Sequence, residues 1–137
     1  MTDRAPTQPI PVPTSFSKPF WDAARELKLV MQYCPESGKY QHYPRPVSIY
    51  TGKRNLVWRE MSGKGFVYAL TVTRRGPPAF RGREPYILAT IELDEGVRLL
   101  TELVNCTLEN AKVGLRVHVD WSVLNEEFTC PVFEPGS

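Results

Sequence analysis

Between residues 115 and 123 apolar and polar side chains alternate without a break. Leu115, Val117, Val119, Trp121 and Val123 stand against Arg116, His118, Asp120 and Ser122. A period of two places each set on its own face of an extended chain, so the segment reads as a half-buried β-strand. The constraint spreads to its neighbours. No proline occurs between Tyr86 and Cys130, although the chain holds thirteen, and paired strands need every N–H they have. Residues 86–93 and 97–104 flank Asp94-Glu95-Gly96, a three-residue link with glycine last that joins antiparallel strands. That register sets Leu93 across from Val97, inside, and Glu92 across from Arg98, outside. Residues 66–73 and 128–133 complete five strands, and residues 56–58 lead into the first through Ser62-Gly63-Lys64-Gly65, read as a barrel corner. Residues 107–114 make a one-turn helical link after the third strand. A long first loop and such a link predict a mainly β chain closed into a five-stranded barrel of the OB type.

The prolines gather elsewhere. Pro6, Pro9, Pro11, Pro13 and Pro19 fall in the first nineteen residues, so residues 1–17 are expected to form a flexible, polyproline-like arm. That arm has neither the charged nor the apolar region of a secretory signal. Cys34, Cys106 and Cys130 are accordingly expected as free thiols, and the cytoplasm as the compartment. Nothing approaches the ~18 apolar residues of a membrane span. With 137 residues, 42% hydrophobic and 23% charged, the chain has the size of one soluble domain. Ser17 as an N-cap, Pro19 in the first turn and Phe20, Ala24 and Leu27 at helical spacing predict a short helix over 18–27. Leu27, Leu29, Met31 and Tyr33 then alternate into a strand ending at Cys34. Residues 34–55 carry too much glycine and proline for regular structure. The expected division is an arm at 1–17, a helix with an irregular segment at 18–56, and the barrel at 57–137.

Charge is distributed in blocks. The net formal charge is +2, but residues 53–83 carry eight basic side chains against Glu60 alone, and residues 84–137 carry three against ten acidic ones. Such a block points to a phosphate, a nucleic acid or an acidic protein, unless the fold interleaves the blocks and neutralises them. Half of the basic residues, Arg74, Arg75, Arg81 and Arg83, sit in the twelve-residue stretch 74–85, long enough for a connecting loop to suggest a task. No catalytic set is apparent. His118 projects from the polar face of its strand, and His42 lies in an irregular stretch; neither has a nucleophile or acid assigned to it by the sequence. There is no nucleophile elbow, nucleotide loop or dinucleotide fingerprint. The Ser62–Gly65 turn precedes a strand, and so lacks the helix terminus that would hold a phosphate. Cys106 and Cys130 read as small buried hydrophobes.

Cys34 is more informative. Cys34-Pro35-Glu36-Ser37-Gly38 precedes Pro44-Arg45-Pro46-Val47-Ser48-Ile49-Tyr50-Thr51-Gly52. With cysteine at 37, 48 and 51 this would be a two-knuckle zinc ribbon of rubredoxin-like type. The Phe20-Trp21 helix, Pro44-Arg45, Ser62-Gly63-Lys64-Gly65, Thr71-Val72, Pro85-Tyr86, Leu93-Asp94-Glu95-Gly96 and Pro131-Val132-Phe133 occur in the order and spacing of a known family. Over residues 18–133 the chain resembles the zinc-ribbon/OB-fold acyl-CoA-associated proteins, long called a domain of unknown function. It departs from them at the metal. Ser37, Ser48 and Thr51 are neutral hydroxyls that do not replace thiolates, so the expectation is a degenerate ribbon with no metal and no cofactor.

The resemblance implies a non-catalytic accessory subunit, cytoplasmic and without membrane contact. Its partner would be a thiolase-like enzyme, or an acyl-CoA hydratase or aldolase. Under that reading Arg74, Arg75, Arg81 and Arg83 meet the phosphates of CoA esters and Phe80 packs on the adenine. Phe20, Trp21 and Ala24, on a helix too short to bury two large aromatics against its own chain, form the interface to the partner or to a second copy of the chain. The rival reading is an OB protein for single-stranded nucleic acid, with Phe66, Tyr68 and Tyr86 as stacking rings. The strongly acidic second half of the barrel opposes it. An independent small enzyme is the third reading.

Overall fold

In the computed structural model, residues 2–3, 11–75 and 85–136 are described. Five strands close a barrel: β5 (Lys64–Thr73), β6 (Tyr86–Leu93), β7 (Arg98–Leu103), β8 (Arg116–Val123) and β9 (Thr129–Pro135). Their order is β5-β6-β7-β9-β8, and β8 returns to β5. Neighbours are antiparallel except β7 and β9, which meet in parallel at Leu103 and Phe133. This is the OB arrangement.

The hairpin pairs Glu92 with Arg98, and the Leu93 N–H donates to the Val97 carbonyl, as the loop length requires. Along β6 buried and half-buried residues alternate without exception. Ile91, Val117 and Phe133 have no exposed surface, and Trp121 and Leu99 lie beside them in one core. Val119, expected with them, is only half-buried. It packs over Gly63, which has no side chain to cover it: a Cβ on Gly63 would stand 2.6 Å from Val119 Cγ1. At Gly65 the start of β5 pairs with β6 on one side and β8 on the other, and a Cβ there would lie 2.3 Å from the Glu92 carbonyl oxygen. The Ser62–Gly65 segment is therefore a barrel corner in which two close approaches exclude side chains. Residues 107–114 hold a single turn, closed by the Ala111 N–H on the Thr107 carbonyl.

Beside the barrel lie one helix and a second sheet. Helix α1 (Lys18–Arg25) is shorter than the pattern predicts because Leu27 adopts φ +61° and leaves the helix. Ser17 stands at the N-cap without capping; its hydroxyl is engaged by the Thr14 N–H and Thr14 Oγ1 instead. The strand expected from Leu27 begins later, as β2 (Val30–Cys34). It pairs with β3 (Lys39–Gln41) and β4 (Val57–Glu60) in the order β3-β2-β4. Two expectations are corrected here. Residues 34–55 do contain regular structure, since Gly38 at φ +73° turns β2 into β3. Val57–Glu60, placed with the barrel by the division at 56/57, pairs with β2 and, among the described residues, with no barrel strand. The expected arm also starts otherwise: β1 (Thr2–Asp3) runs parallel to β8 at Ser122 and Val123.

The three parts share one core. Phe20, Ala24, Leu29, Met31 and Met61 join the barrel interior in a single cluster, and the Met61 N–H donates to the Leu29 carbonyl across the junction. No helix among the described residues is long and apolar enough to cross a membrane.

Candidate functional site

Because α1 turns Phe20 and Ala24 inward, the helix does not present its apolar face to a partner. Phe20 is 6% exposed and Ala24 1%, which corrects the expectation that both belong to an interface: β9 and β2 supply the cover the helix needs. Trp21 stays half-buried, edge-on to Phe20 (5.1 Å between centroids) and to Phe128 (5.9 Å). Beyond it, between α1, residues 42–44 and the outer face of the barrel, runs an apolar groove of about 900 Å³. A volume of that order accommodates a sizeable ligand. Trp21, Tyr43, Leu88 and Leu100 supply its apolar walls, and Tyr43 and Leu100 are more than half exposed there.

Thr73 and Tyr86, paired across β5 and β6, also line the groove. These are the strand ends from which the 74–85 stretch departs. Arg74 and Arg75 follow directly, both exposed, and no described carboxylate is paired with either. Phe80, Arg81 and Arg83 lie outside the described residues. Asp94 takes a bidentate pair from Arg116 (2.9 and 3.2 Å) and Glu92 pairs with Arg98 (2.9 Å), both within their own half of the chain. The Arg116 hydrogen bond, before its charge, holds the Asp94 carboxyl below its ordinary range.

His42 forms part of the groove wall. Its ring stacks obliquely on Tyr43 (4.3 Å) and Phe20 (5.4 Å), and burial pushes its pKa down to about 4. His118 is more than the solvated strand residue expected. Its Nε2 lies 2.9 Å from Glu134 Oε1, while the Asn105 side-chain amide donates to the other oxygen (2.6 Å). Asn105 first, then His118, holds the Glu134 carboxyl below its usual range. Cys106 and Cys130 are half-buried, and burial raises the Cys106 thiol.

The knuckle region is built from residues the sequence did not single out. Gln32 and Gln41, opposite each other across β2 and β3, are both buried. Gln41 Nε2 donates to Gln32 Oε1 (2.9 Å) and to the Val47 carbonyl (3.2 Å). Gln32 Nε2 donates to the Arg45 carbonyl (2.8 Å), and the Arg45 N–H returns a bond to Gln32 Oε1 (2.9 Å). The Ile49 N–H donates to Gln41 Oε1 (2.9 Å). Two amide side chains thus tie down the irregular 42–50 segment. Isolated glutamines carry no periodic signal, so nothing in the sequence marked them.

At the second knuckle Ser48 Oγ accepts the N–H groups of Tyr50 (3.1 Å) and Thr51 (3.3 Å), and Thr51 Oγ1 accepts that of Lys53 (3.2 Å). Zinc needs four strong donors. Here one thiol and three hydroxyls are offered, two of the hydroxyls already engaged with backbone. These residues do not fit zinc. Instead the hydroxyls of Ser37, first, and Ser48 hold the enclosed Cys34 thiol down to about 7 from 9.0. Ser37 Oγ itself is enclosed and makes no well-formed hydrogen bond, so its influence on the sulfur is that of a nearby dipole.

Residues 58–122 match the family model described as the ChsH2 C-terminal OB-fold domain. A probable enoyl-CoA hydratase alpha subunit of Thermomonospora curvata is 37% identical over 119 residues, 85% of this chain and 37% of that subunit. The chain therefore spans little more than a third of that relative's length. A DUF35 domain-containing scaffold protein of Pyrococcus furiosus is 34% identical over 101 residues, 73% of this chain and 74% of that protein. The solved structure of an Ltp2-ChsH2(DUF35) aldolase superposes with a TM-score of 0.82 at 34% identity, over 92% of this chain and 98% of that one. With the fold, the motif order and these relatives in agreement, the chain belongs to the DUF35 family of OB-fold proteins.

Proposed function

We propose that the chain is a non-catalytic accessory subunit in acyl-CoA metabolism, holding a CoA ester for a hydratase, aldolase or thiolase-like partner enzyme. The observation that carries this reading is the apolar groove lined by Thr73 and Tyr86, the residues that flank the arginine-bearing 74–85 stretch in sequence. A CoA ester has that polarity, with phosphates at one end and an acyl chain at the other. Arg74, Arg75, Arg81 and Arg83 take the phosphates, Phe80 the adenine, and the groove the acyl chain. Relatives named as a hydratase subunit, a scaffold protein and an aldolase component support the class of partner. The nucleic-acid alternative is weakened at its stacking platform, since the Arg98 guanidinium already covers the Tyr68 ring at 3.6 Å.

Calorimetric titration of the full chain with CoA and a long-chain acyl-CoA tests the reading. Replacing Arg81 and Arg83 with Ala is expected to weaken binding tenfold or more, about 1.4 kcal/mol, with folding intact. Unchanged CoA affinity together with salt-sensitive binding of single-stranded DNA overturns it.

A further inference from the structure

We infer that a second copy of the chain pairs with the free edge of β4, the two strands running antiparallel about a twofold axis at Trp58. The inference is independent of the acyl-CoA reading and uses neither the groove nor the arginine stretch. Along the β2–β4 ladder the Met61 N–H donates to the Leu29 carbonyl. In an antiparallel register hydrogen-bonded and non-bonded pairs alternate, so Met31 with Arg59 and Tyr33 with Val57 are the bonded pairs. The main-chain groups of Trp58 and Glu60, and of Leu56 just before β4, therefore point away from β2. Among the described residues these groups have no hydrogen-bond partner, and no strand but β2 pairs with β4. The opposite edge of the same sheet is covered. On β3 the outward residue is Tyr40, and its carbonyl accepts the Tyr50 hydroxyl (3.0 Å).

An open edge is a template for another strand, and chains that avoid pairing blunt it with lysine, proline or a bulge. Residues 55–60 contain neither residue, and their register with β2 is unbroken. Leu56, Val57 and Trp58 run together there, with Val57 exposed. The Arg59 guanidinium lies over the Tyr33 ring (3.7 Å), on a face of the sheet and off its edge. A second copy is the occupant this register favours. Set antiparallel about Trp58, Leu56 of one copy meets Glu60 of the other, and Trp58 meets its own counterpart. Each outward residue then faces another outward residue, and their N–H and C=O groups exchange bonds. Val57 lies across from the aliphatic stem of Arg59. Arg54 of one copy comes diagonally beside Glu60 of the other. Both are exposed and neither has an opposite charge paired with it among the described residues, so the segment is complementary in charge to itself.

Sedimentation velocity of the full chain over about a hundredfold range of concentration tests the pairing by mass action. The mass is expected to rise from one chain to two and stop there, because a pair about a twofold axis closes. Glu60→Pro removes an outward N–H and leaves the bonds to β2, a position where an edge strand tolerates proline. It should weaken the dimer about tenfold or more, while the monomer still folds. Arg54→Glu and Glu60→Arg, made singly, should each weaken it about two- to fivefold. The two together should restore wild-type association, which a merely damaged fold would not do. A chain that stays monomeric throughout, leaving the edge vacant or to another protein, overturns the inference. So do assemblies that grow beyond two, a dimer indifferent to Glu60→Pro, or a double variant as weak as the single ones.

Discussion

In β6 of the barrel every second side chain is buried, and Ala89, Ile91 and Leu93 are all but inaccessible. In β2 of the smaller sheet the buried residues are Met31, Gln32 and Cys34, two of them adjacent. The difference follows from what each strand is packed against. One face of β6 meets an apolar interior and its other is half exposed, so one face alone must be hydrophobic. Met31 of β2 joins the shared core, while Gln32 and Cys34 face a loop full of backbone polar groups. Such a loop is stabilised by side chains that hydrogen-bond it, because buried N–H and C=O groups left unpaired cost more than apolar contact returns. The barrel is specified by pattern and the small sheet by pairwise partners, and perturbing each should give distinct signatures.

The largest effect belongs to the barrel. Trp121→Ala is expected to cost about 3–5 kcal/mol, the range for a buried large aromatic. Because Met31, Leu29 and Met61 share its core, both regions should unfold in one earlier transition. An unchanged denaturant midpoint would show that the inward face of β8 is misplaced.

His42, where the loop meets the helix, comes next. Its folded pKa of about 4 lies below the ordinary 6.5, so between those values the unfolded chain binds the extra proton. Stability is full above pH 6.5 and falls as pH drops towards 4, by up to about 3 kcal/mol. Denaturation midpoints measured across that window should slope in the wild type and flatten in His42→Phe. Equal slopes would mean the imidazole is not enclosed.

Gln41→Leu separates the two regions. It removes the acceptor of the Ile49 N–H and the donor to the Val47 carbonyl, for about 1–3 kcal/mol. Hydrogen exchange should quicken at Ile49 and remain slow at Ile91. Equal quickening at both would show that the glutamine pair supports the whole core rather than the loop.

The same division explains what could be read in advance. The barrel strands, the hairpin register of Glu92 with Arg98 and the corner at Gly65 follow from alternation and from glycine placement, which are properties of single positions. Strand β3 and the Gln32–Gln41 pair form a short hairpin that is held by single polar contacts and shows no alternation, and the fate of Phe20 depends on β9, a segment far away in sequence. Phe20 and Ala24 looked unpartnered because nothing local shows that β9 covers them. Of the candidate site, the basic stretch was legible as charge. The groove beside it was not, since it arises where three separate elements meet.

The smallest effect is expected at Cys34. Its thiol is held to about 7, chiefly by Ser37 and then Ser48, while an unfolded thiol keeps its ordinary value near 9.0. A depressed folded pKa adds stability as pH rises from 7 towards 9, and that increment is absent below 7. Cys34→Ser keeps a small polar side chain in the same enclosure, so it should cost no more than about 1 kcal/mol at pH 7 and remove the rise. The low pKa should not make the thiol reactive, because Cys34 has no exposed surface and alkylation needs access as well as a thiolate. Slow labelling at pH 8 together with a stability rise between pH 7 and 9 is the expected pair of results. Rapid labelling would show that the knuckle opens, and that two glutamines and a serine hold the loop less firmly than their hydrogen bonds imply.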